Sequence, residues 1–510
     1  MSAGDGKGQA GKGPRGTGNG SGPGGGKPRD GKPSGSRWSG KGPSGKGARS
    51  AGGKPGKKPG GEGGARPQRR EAPGLPARRT AVTILGNVVH QGNMLAAELE
   101  GPSRNPHYGE LANNDKALVR AILGLALRRR GEIAALLERL LDRPVPERTG
   151  RVLDILHVAI TQILFMDVAD HAAVSLAVEN AGADKKARPY KGLINAVLRR
   201  LIREREELQA GLDPLVLNTP EWLMRRWTAS YGAETARSIA AAHVAEPGLD
   251  ITLKPGLDVA EWAEKLNAKV MPTGSLRIAE PGRVEELAGY DEGAWWVQDA
   301  AAALPARLLG DVSGLKVADL CAAPGGKTAQ LAAAGGDVVA LDISSTRLNR
   351  VTRNLKRLKL KARTLEADLG TWEPDELFDA ILLDAPCSAT GTARRHPDMP
   401  WLKREGDIAV LAEMQGRFLR RAIQWLKPGG VLVYCTCSLE PEEGEGQIET
   451  LLSEGLPVER APISASEFAG LDGLLTEAGD LRTLPNLWAC EEHRMGGLDG
   501  FFACRLRRVS

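Results

Sequence analysis

Four acids, a lysine and two thiols, Cys387 and Cys437, fall at the carboxyl ends of short expected strands in this chain. The apolar runs at residues 317–320, 338–341, 380–383 and 431–434 suit buried strands, and a further strand is expected near residues 363–366. Behind them come Asp319 to Lys327, Asp342, Asp368, Asp384-Ala385-Pro386-Cys387 and Thr436-Cys437-Ser438. The first of these stretches reads as strand, tight turn and helix, because Pro324-Gly325-Gly326 breaks the apolar run before helix formers resume at residues 327–333. Asp342 ends the next strand, 17 residues beyond Gly325. Small residues let a backbone approach a ligand, helix N-terminal N–H groups face it, and an acid on the next strand can accept from ribose hydroxyls. A nucleoside fits that arrangement.

The kind of nucleoside can be narrowed. A dehydrogenase turn needs G-x-G-x-x-G and a P-loop needs four residues between its Gly and Gly-Lys, whereas this turn reads Cys321-Ala322-Ala323-Pro324-Gly325-Gly326-Lys327. S-adenosyl-L-methionine remains, since it needs a close turn around its methionine part and an acid for its ribose. Amino-group methylation of adenine would favour Asp or Asn, Pro, Pro and an aromatic at the fourth strand end; this chain has Asp384-Ala385-Pro386-Cys387 and a second thiol one strand later. Carbon 5 of a pyrimidine is a poor nucleophile, and a thiolate adding at carbon 6 turns the ring into an enamine that can attack a sulfonium methyl. A free thiol is only a few per cent ionised near neutrality, so its setting must favour the thiolate. The ring also needs an acid to manage its proton, and Asp384 is the candidate. A single cysteine is more often core than nucleophile; two at successive strand ends form a pattern. Chemistry alone does not rank Cys387 against Cys437.

The elements that must position these groups are an open, mostly parallel α/β sheet with helices on both faces over residues 291–510, including a helix over 408–426. Residues 79–210 show helical periodicity: Leu118, Ile122 and Leu125 after an Asn113–Asp115 capping cluster, then Val152, Leu156, Ile160 and Ile163. A small helical bundle is expected there. Its last helix puts Leu193, Ile194, Val197, Leu198 and Leu201 on the apolar side, and Lys185, Lys186, Arg188, Lys191, Arg199 and Arg200 gather around Tyr190. Such a cluster can hold RNA backbone, and a solvated helix face accounts for the same charges. Residues 213–290 read as a small α+β insert, with a capped helix after Asn218-Thr219-Pro220-Glu221, short strands at 250–253 and 275–279 and a helix between them. A further apolar helix is expected at 300–309.

Residues 1–78 differ in kind. They hold 26 of the 64 glycines, 17 Lys or Arg and four acids, a net +13; subtracted from +6 for the whole chain, this leaves −7 for residues 79–510. A segment this poor in apolar residues is expected to be a disordered basic tail, attracted to RNA phosphates without sequence preference. No apolar run of about 18 residues occurs and no signal peptide is seen, so a cytoplasmic protein without membrane contact is expected. The six cysteines all lie in the last 190 residues without a CxxC pair, which is neither a disulfide framework nor a zinc pattern, and no metal is expected.

Asp319 to Thr328, Asp384 to Gly391 with Arg394-Arg395-His396-Pro397-Asp398, Thr436-Cys437-Ser438 and Gly500-Phe501-Phe502 together resemble the RNA cytosine-C5 methyltransferase family. The nearest resemblance is to its bacterial small-subunit ribosomal RNA methyltransferase B type, also called Sun or Fmu, over about residues 79–508. The bundle is similar to the NusB-type RNA-binding domain of that group, most visibly at residues 191–198, and this turns the basic cluster toward RNA. The resemblance implies a Rossmann-like catalytic domain that methylates carbon 5 of a cytosine in 16S ribosomal RNA through a covalent cysteine adduct. It implies that Cys321, Ala322, Ala323, Pro324, Gly325, Gly326, Lys327, Asp342, Asp368 and Asp384 contact S-adenosyl-L-methionine. It also makes Cys437 the nucleophile and associates Cys387 with product release. Small-subunit ribosomal RNA is the expected partner, and a monomer the expected state. The alternatives are a transfer RNA cytosine-C5 methyltransferase and a NusB-like assembly factor without turnover. Two departures stand out: residues 250–255 lack the Arg-Val-Asn strand expected in the insert, and Cys435 adds a thiol that reads as core packing.

Overall fold

A computed structural model describes residues 72–509. Most of the expected basic tail lies outside the described residues, but its boundary at residue 78 moves. A helix already runs Leu75–Gln91, with Pro76 in its first turn, where a missing N–H costs nothing, and with Leu75 and Ala77 buried.

The bundle packs the helices Leu75–Gln91, Asn113–Arg128, Arg130–Leu140, Val152–Phe165, Asp170–Ala183 and Lys191–Arg203 around one core. Val152, Leu156, Ile160 and Ile163 are buried as their spacing predicts. On Asn113–Arg128 the buried stripe is Val119, Ile122, Leu123, Ala126 and Leu127, one residue round from the predicted one, so Leu118 and Leu125 sit at its edge. The expected capping cluster is not a cap: Ala112 holds that position, and Asp115 lies in the first turn, where an acid favours the helix dipole. In the last helix Ile194, Val197, Leu198 and Leu201 are buried while Leu193 is exposed.

The insert is a four-stranded antiparallel sheet, β1 (Leu249–Leu253), β2 (Lys269–Val270), β3 (Leu276–Ile278) and β4 (Trp295–Val297), in the order β2-β3-β1-β4. Because β4 pairs with β1, the insert extends past the expected boundary at residue 290. Its leading helix, Glu221–Tyr231, is not capped by Asn218; that side chain accepts from Glu132 N (2.9 Å), at the start of the bundle helix Arg130–Leu140. A buried ion pair, Arg277 to Asp250 (2.6 Å), ties β3 to β1, and Arg277 also donates to the carbonyls of Gly496 (2.8 Å) and Gly497 (2.7 Å) in the C-terminal region.

The C-terminal region forms an eight-stranded sheet. Its strands are β5 (Lys316–Leu320), β6 (Asp337–Asp342), β7 (Arg363–Glu366), β8 (Phe378–Asp384), β9 (Leu426–Thr436), β10 (Val458–Arg460), β11 (Leu481–Thr483) and β12 (Phe501–Arg508). The order β10-β12-β9-β8-β5-β6-β7 makes β9 through β7 parallel, with β12 antiparallel against β9 and β11 against β12. Alternate residues go to opposite faces: Ile381, Leu383, Leu432 and Tyr434 to one core, Ala380, Leu382, Val433 and Cys435 to the other. The helix expected at 408–426 runs Glu405–Gln424, and Leu426 instead opens β9. The apolar helix expected at 300–309 shrinks to Leu304–Arg307; the residues before it form a turn in which Ala300 N donates to Asp250 (3.0 Å) and Ala301 N to Asp299 (2.8 Å).

Candidate active site

The tip of β5 turns sharply. Cys321 has φ 63° and Gly325 φ 102°, and a Cβ on Gly325 would lie 3.0 Å from Val351 Cγ1. Glycine is required there by conformation and by space. The turn opens the helix Gly326–Ala333 and is held from below by Asp342, which accepts from Ala323 N (3.2 Å) and Ser344 N (3.0 Å) and pairs with Arg347 (3.5 Å). Asp319 is fully buried beneath it and accepts from Thr328 Oγ1 (2.6 Å); burial pushes its carboxyl up to about 7. Burial also pushes the Cys321 thiol up.

Above the turn lies a cleft of ≈ 430 Å³, inside the usual range for small-molecule sites. Ala322, Pro324, Gly325, Gly326 and Lys327 form one wall; Asp384, Cys437 and Phe501 face them, with Arg395 and Asp299 at the insert side. Lys327 is buried and pairs with Asp384 (2.8 Å), its ammonium 5.0 Å from the Phe501 ring centre. Burial alone would lower the Lys327 pKa, but the Asp384 carboxylate more than offsets it and holds the ammonium charged. Arg395 is clamped by Asp299 (2.5 Å), Asp250 (3.2 Å) and the Gly248 carbonyl (3.0 Å), which fixes the insert against the catalytic region. Burial and the neighbouring Asp299 push Asp499 up to about 7, while Arg395, outweighing burial, holds Asp299 well below the usual carboxylate range.

The two thiols meet: Cys387 Sγ is 3.5 Å from Cys437 Sγ. Cys437 is on the cleft wall and Cys387 stands behind it, off the wall. The contact with Cys437, and then burial, push the Cys387 thiol well up, which favours its neutral form. Cys435 is buried in the core, as its sequence setting suggests, with its sulfur 3.5 Å from Asp384 Oδ1. Behind both thiols sits Glu443, fully buried. Its carboxylate accepts from Ser388 N (2.9 Å), Ser388 Oγ, Ser438 Oγ (2.5 Å) and Gln415 Nε2 (3.0 Å). Its carbonyl accepts from Tyr434 OH (2.8 Å) and Thr436 Oγ1 (3.1 Å). Ser388 follows Cys387 and Ser438 follows Cys437, so one carboxylate pins both thiol-bearing loops.

The fold therefore brings together Cys437, Cys387, Asp384, Lys327 and the turn. Cys321, Ala323, Asp342 and Asp368 are not on the wall of this cleft. Asp342 lies beneath the turn, and Asp368 is exposed past β7, its carboxylate taking Gly370 N (2.8 Å). Glu443, Asp299 and Asp499 carry no motif of their own in the sequence; only the acid-rich run behind Ser438, Glu440-Pro441-Glu442-Glu443, could have drawn attention. In the bundle, Lys185, Lys186, Arg188, Lys191 and Arg199 are exposed, whereas Arg200 pairs with Glu204 (2.7 Å). Arg199 also lines a groove of ≈ 610 Å³ with His171, Ser175 and Asn195. Among the described residues no group of His, Cys, Asp and Glu could hold a metal, and no helix is long and apolar enough to cross a membrane.

The family model described as 16S rRNA methyltransferase RsmB/F matches residues 307–507, and that of the NusB family matches residues 75–203. The chain is 36% identical over 446 residues to Ribosomal RNA small subunit methyltransferase B of Cronobacter sakazakii, covering 84% of this chain and 98% of that one. The enzyme of the same name from Salmonella paratyphi B is 37% identical over the same shares. Among solved structures, that of PH0851 covers 86% of this chain and 100% of its own with a TM-score of 0.66 at 22% identity, a likeness of fold.

Proposed function

The chain belongs to the small-subunit ribosomal RNA methyltransferase B family, and from that premise we propose that it methylates carbon 5 of a cytosine in 16S ribosomal RNA, with Cys437 as the nucleophile. The observation that carries the assignment of roles is that Cys437 faces the cleft beside Lys327 and Asp384 while Cys387 backs it at 3.5 Å.

The residues present fit S-adenosyl-L-methionine. The turn lays the backbone of Pro324, Gly325 and Gly326 along the cleft, Gly325 leaves no room for a side chain, and Asp342, off the cleft wall, holds the turn from beneath through Ala323 N (3.2 Å). Bound there, the methyl donor supplies an electrophilic methyl group on a sulfonium. Cys437 forms a bond to carbon 6 of the cytosine, and Asp384, held by Lys327, manages the proton on the ring as the electron pair moves toward carbon 5. Carbon 5 takes the methyl. Loss of the carbon 5 proton to a base then restores the double bond and expels the Cys437 sulfur. Cys387, a neutral thiol aimed at that sulfur, donates to the thiolate as it leaves. A target base must leave its stack to reach Cys437, so a loop or a site open during assembly suits the cleft. The exposed cations of the bundle hold the RNA at a second place, and the protein works as a cytoplasmic monomer.

The test is transfer of labelled methyl to transcribed 16S ribosomal RNA, with bisulfite sequencing of the product. A single 5-methylcytosine in ribosomal RNA is expected; methylation of transfer RNA alone would overturn the substrate assignment.

A further inference from the structure

Residues 343–363 carry eight Lys or Arg and no Asp or Glu, in a chain whose residues 79–510 are net −7. Within this run the helix Ser345–Leu358 buries Leu348, Val351, Leu355 and Leu358. Arg347, Arg350, Arg353, Lys356 and Lys359 recur every third residue. Positions three apart form a slanting ridge, and Arg347 to Lys356 cross the outward face over about 14 Å at 1.5 Å per residue, with Lys359 just past the helix as its left-handed cap. At one end Arg347 touches Asp342 (3.5 Å) and Arg350 pairs with Glu100 of the bundle (3.2 Å). Arg353, Lys356 and Lys359 are exposed and have no ion-pair partner among the described residues. Like charges three or four apart repel and weaken the helix that bears them, so the ridge is unfavourable until an anion of matching length lies on it.

The ridge is continuous with the cleft. Asn354 and Arg357, on the same helix, line the cleft that holds Cys437 and Lys327. Arg357 stacks on the Tyr290 ring (4.3 Å) and donates to the carbonyls of Tyr290 (2.7 Å) and Trp295 (3.0 Å), so the insert fixes the helix at the cleft mouth. The helix also grips the glycine turn, with Arg347 donating to Ala323 O (2.8 Å) and Asn354 to Pro324 O (3.3 Å).

We propose that the ridge from Arg347 to Lys359 is an RNA track on the catalytic region itself, on which consecutive phosphates of the substrate strand lie while the target base enters the cleft. The track rests on the RNA methyltransferase reading above and adds a contact surface separate from the bundle and the basic tail. Its contacts are to phosphate and carry no base preference.

The test is the triple variant Arg353→Gln, Lys356→Gln, Lys359→Gln, all on the surface. Its Kd for a transcribed 16S ribosomal RNA fragment is measured from roughly 50 to 300 mM salt, where counterion release is readable. Loss of three phosphate contacts lowers the slope of log affinity against log salt by about 2 and raises Kd on the order of tenfold at the low-salt end. Calorimetric affinity for S-adenosylmethionine at the wild-type value shows that the turn is intact. Wild-type Kd and slope in the variant would overturn the track. So would unchanged binding of bare RNA with lost activity on an assembling particle, which would assign the ridge to an acidic protein. Wild-type protein that binds the fragment but transfers no methyl to it would sink the proposed function and leave the track standing.

Discussion

Glu443→Gln tests how the thiols are held. Four donors converge on the Glu443 carboxylate, and two of them belong to Ser388 and Ser438, the residues after Cys387 and Cys437. A glutamine amide keeps one oxygen for Ser388 N and Gln415 Nε2. Its NH₂ then faces the two serine hydroxyls, which must turn round and accept. Bonds to a charged group contribute about 1.5–3 kcal/mol and neutral ones about 1, so converting the hydroxyl contacts costs about 2 kcal/mol in total. Felt as misplacement of the sulfurs in the transition state, this lowers kcat up to about 30-fold. KM for RNA stays near the wild-type value because Glu443 does not reach the cleft wall. The charge of Glu443 also helps raise the Cys387 pKa, so Cys387 in the variant is alkylated at lower pH. The assays are steady-state methyl transfer and a pH series of iodoacetamide labelling read by mass spectrometry. A variant with kcat within twofold of wild type and an unmoved labelling profile would refute the clamp.

Two further outcomes concern stability. Folded Asp319 keeps its proton up to about 7 while the unfolded group ionises near 3.8, so its burial costs increasing stability as pH rises from about 4 to 7 and costs none below that window. Asp319→Asn, which can still accept from Thr328, therefore gains on wild type between those limits by up to about 4 kcal/mol; urea midpoints for both proteins at each end of the range check this, and a constant difference would contradict it. Arg277→Met strips fully buried Asp250 of its closest cation and takes its side-chain donor from the Gly497 carbonyl, while Gly496 O keeps Arg394 (2.9 Å). A loss of about 3 kcal/mol is expected, visible as an earlier denaturant transition of the insert, and an unmoved transition would show that Arg395 alone suffices.

Local patterns made the sheet legible. Buried parallel strands are short apolar runs, and β5, β6, β8 and the core of β9 stand where those runs fall. The turn and both thiols follow, since residues at strand ends share one edge of a parallel sheet whatever else surrounds them. What failed depended on partners distant in sequence. Asn113–Asp115 looks like a cap, yet Ala112 takes the place. Asn218 caps a helix 86 residues earlier rather than its own, and the start of the expected helix at 300–309 is a turn whose N–H groups go in part to Asp250 on β1 of the insert. Trp295 and Trp296 are buried in β4 of the insert, although they adjoin the catalytic region in sequence. Glu443 is the clearest omission: an acid in an acidic run reads as solvated, and only the fold shows that it accepts four hydrogen bonds behind the thiols. The ranking of Cys437 over Cys387 came from resemblance; the fold adds that Cys437 lines the cleft and Cys387 does not, and the adduct experiment below decides between them.

The central claim is the division of labour between the two cysteines, and trapping the RNA adduct tests it most directly. Cys387→Ala and Cys437→Ala proteins are incubated with transcribed 16S ribosomal RNA and S-adenosylmethionine, then run on a denaturing gel. Cys387→Ala should accumulate a protein–RNA band that survives denaturation, because carbon 6 is attacked and release is slowed, while Cys437→Ala should give neither band nor methylated product. A stable adduct or normal turnover in Cys437→Ala would contradict the account.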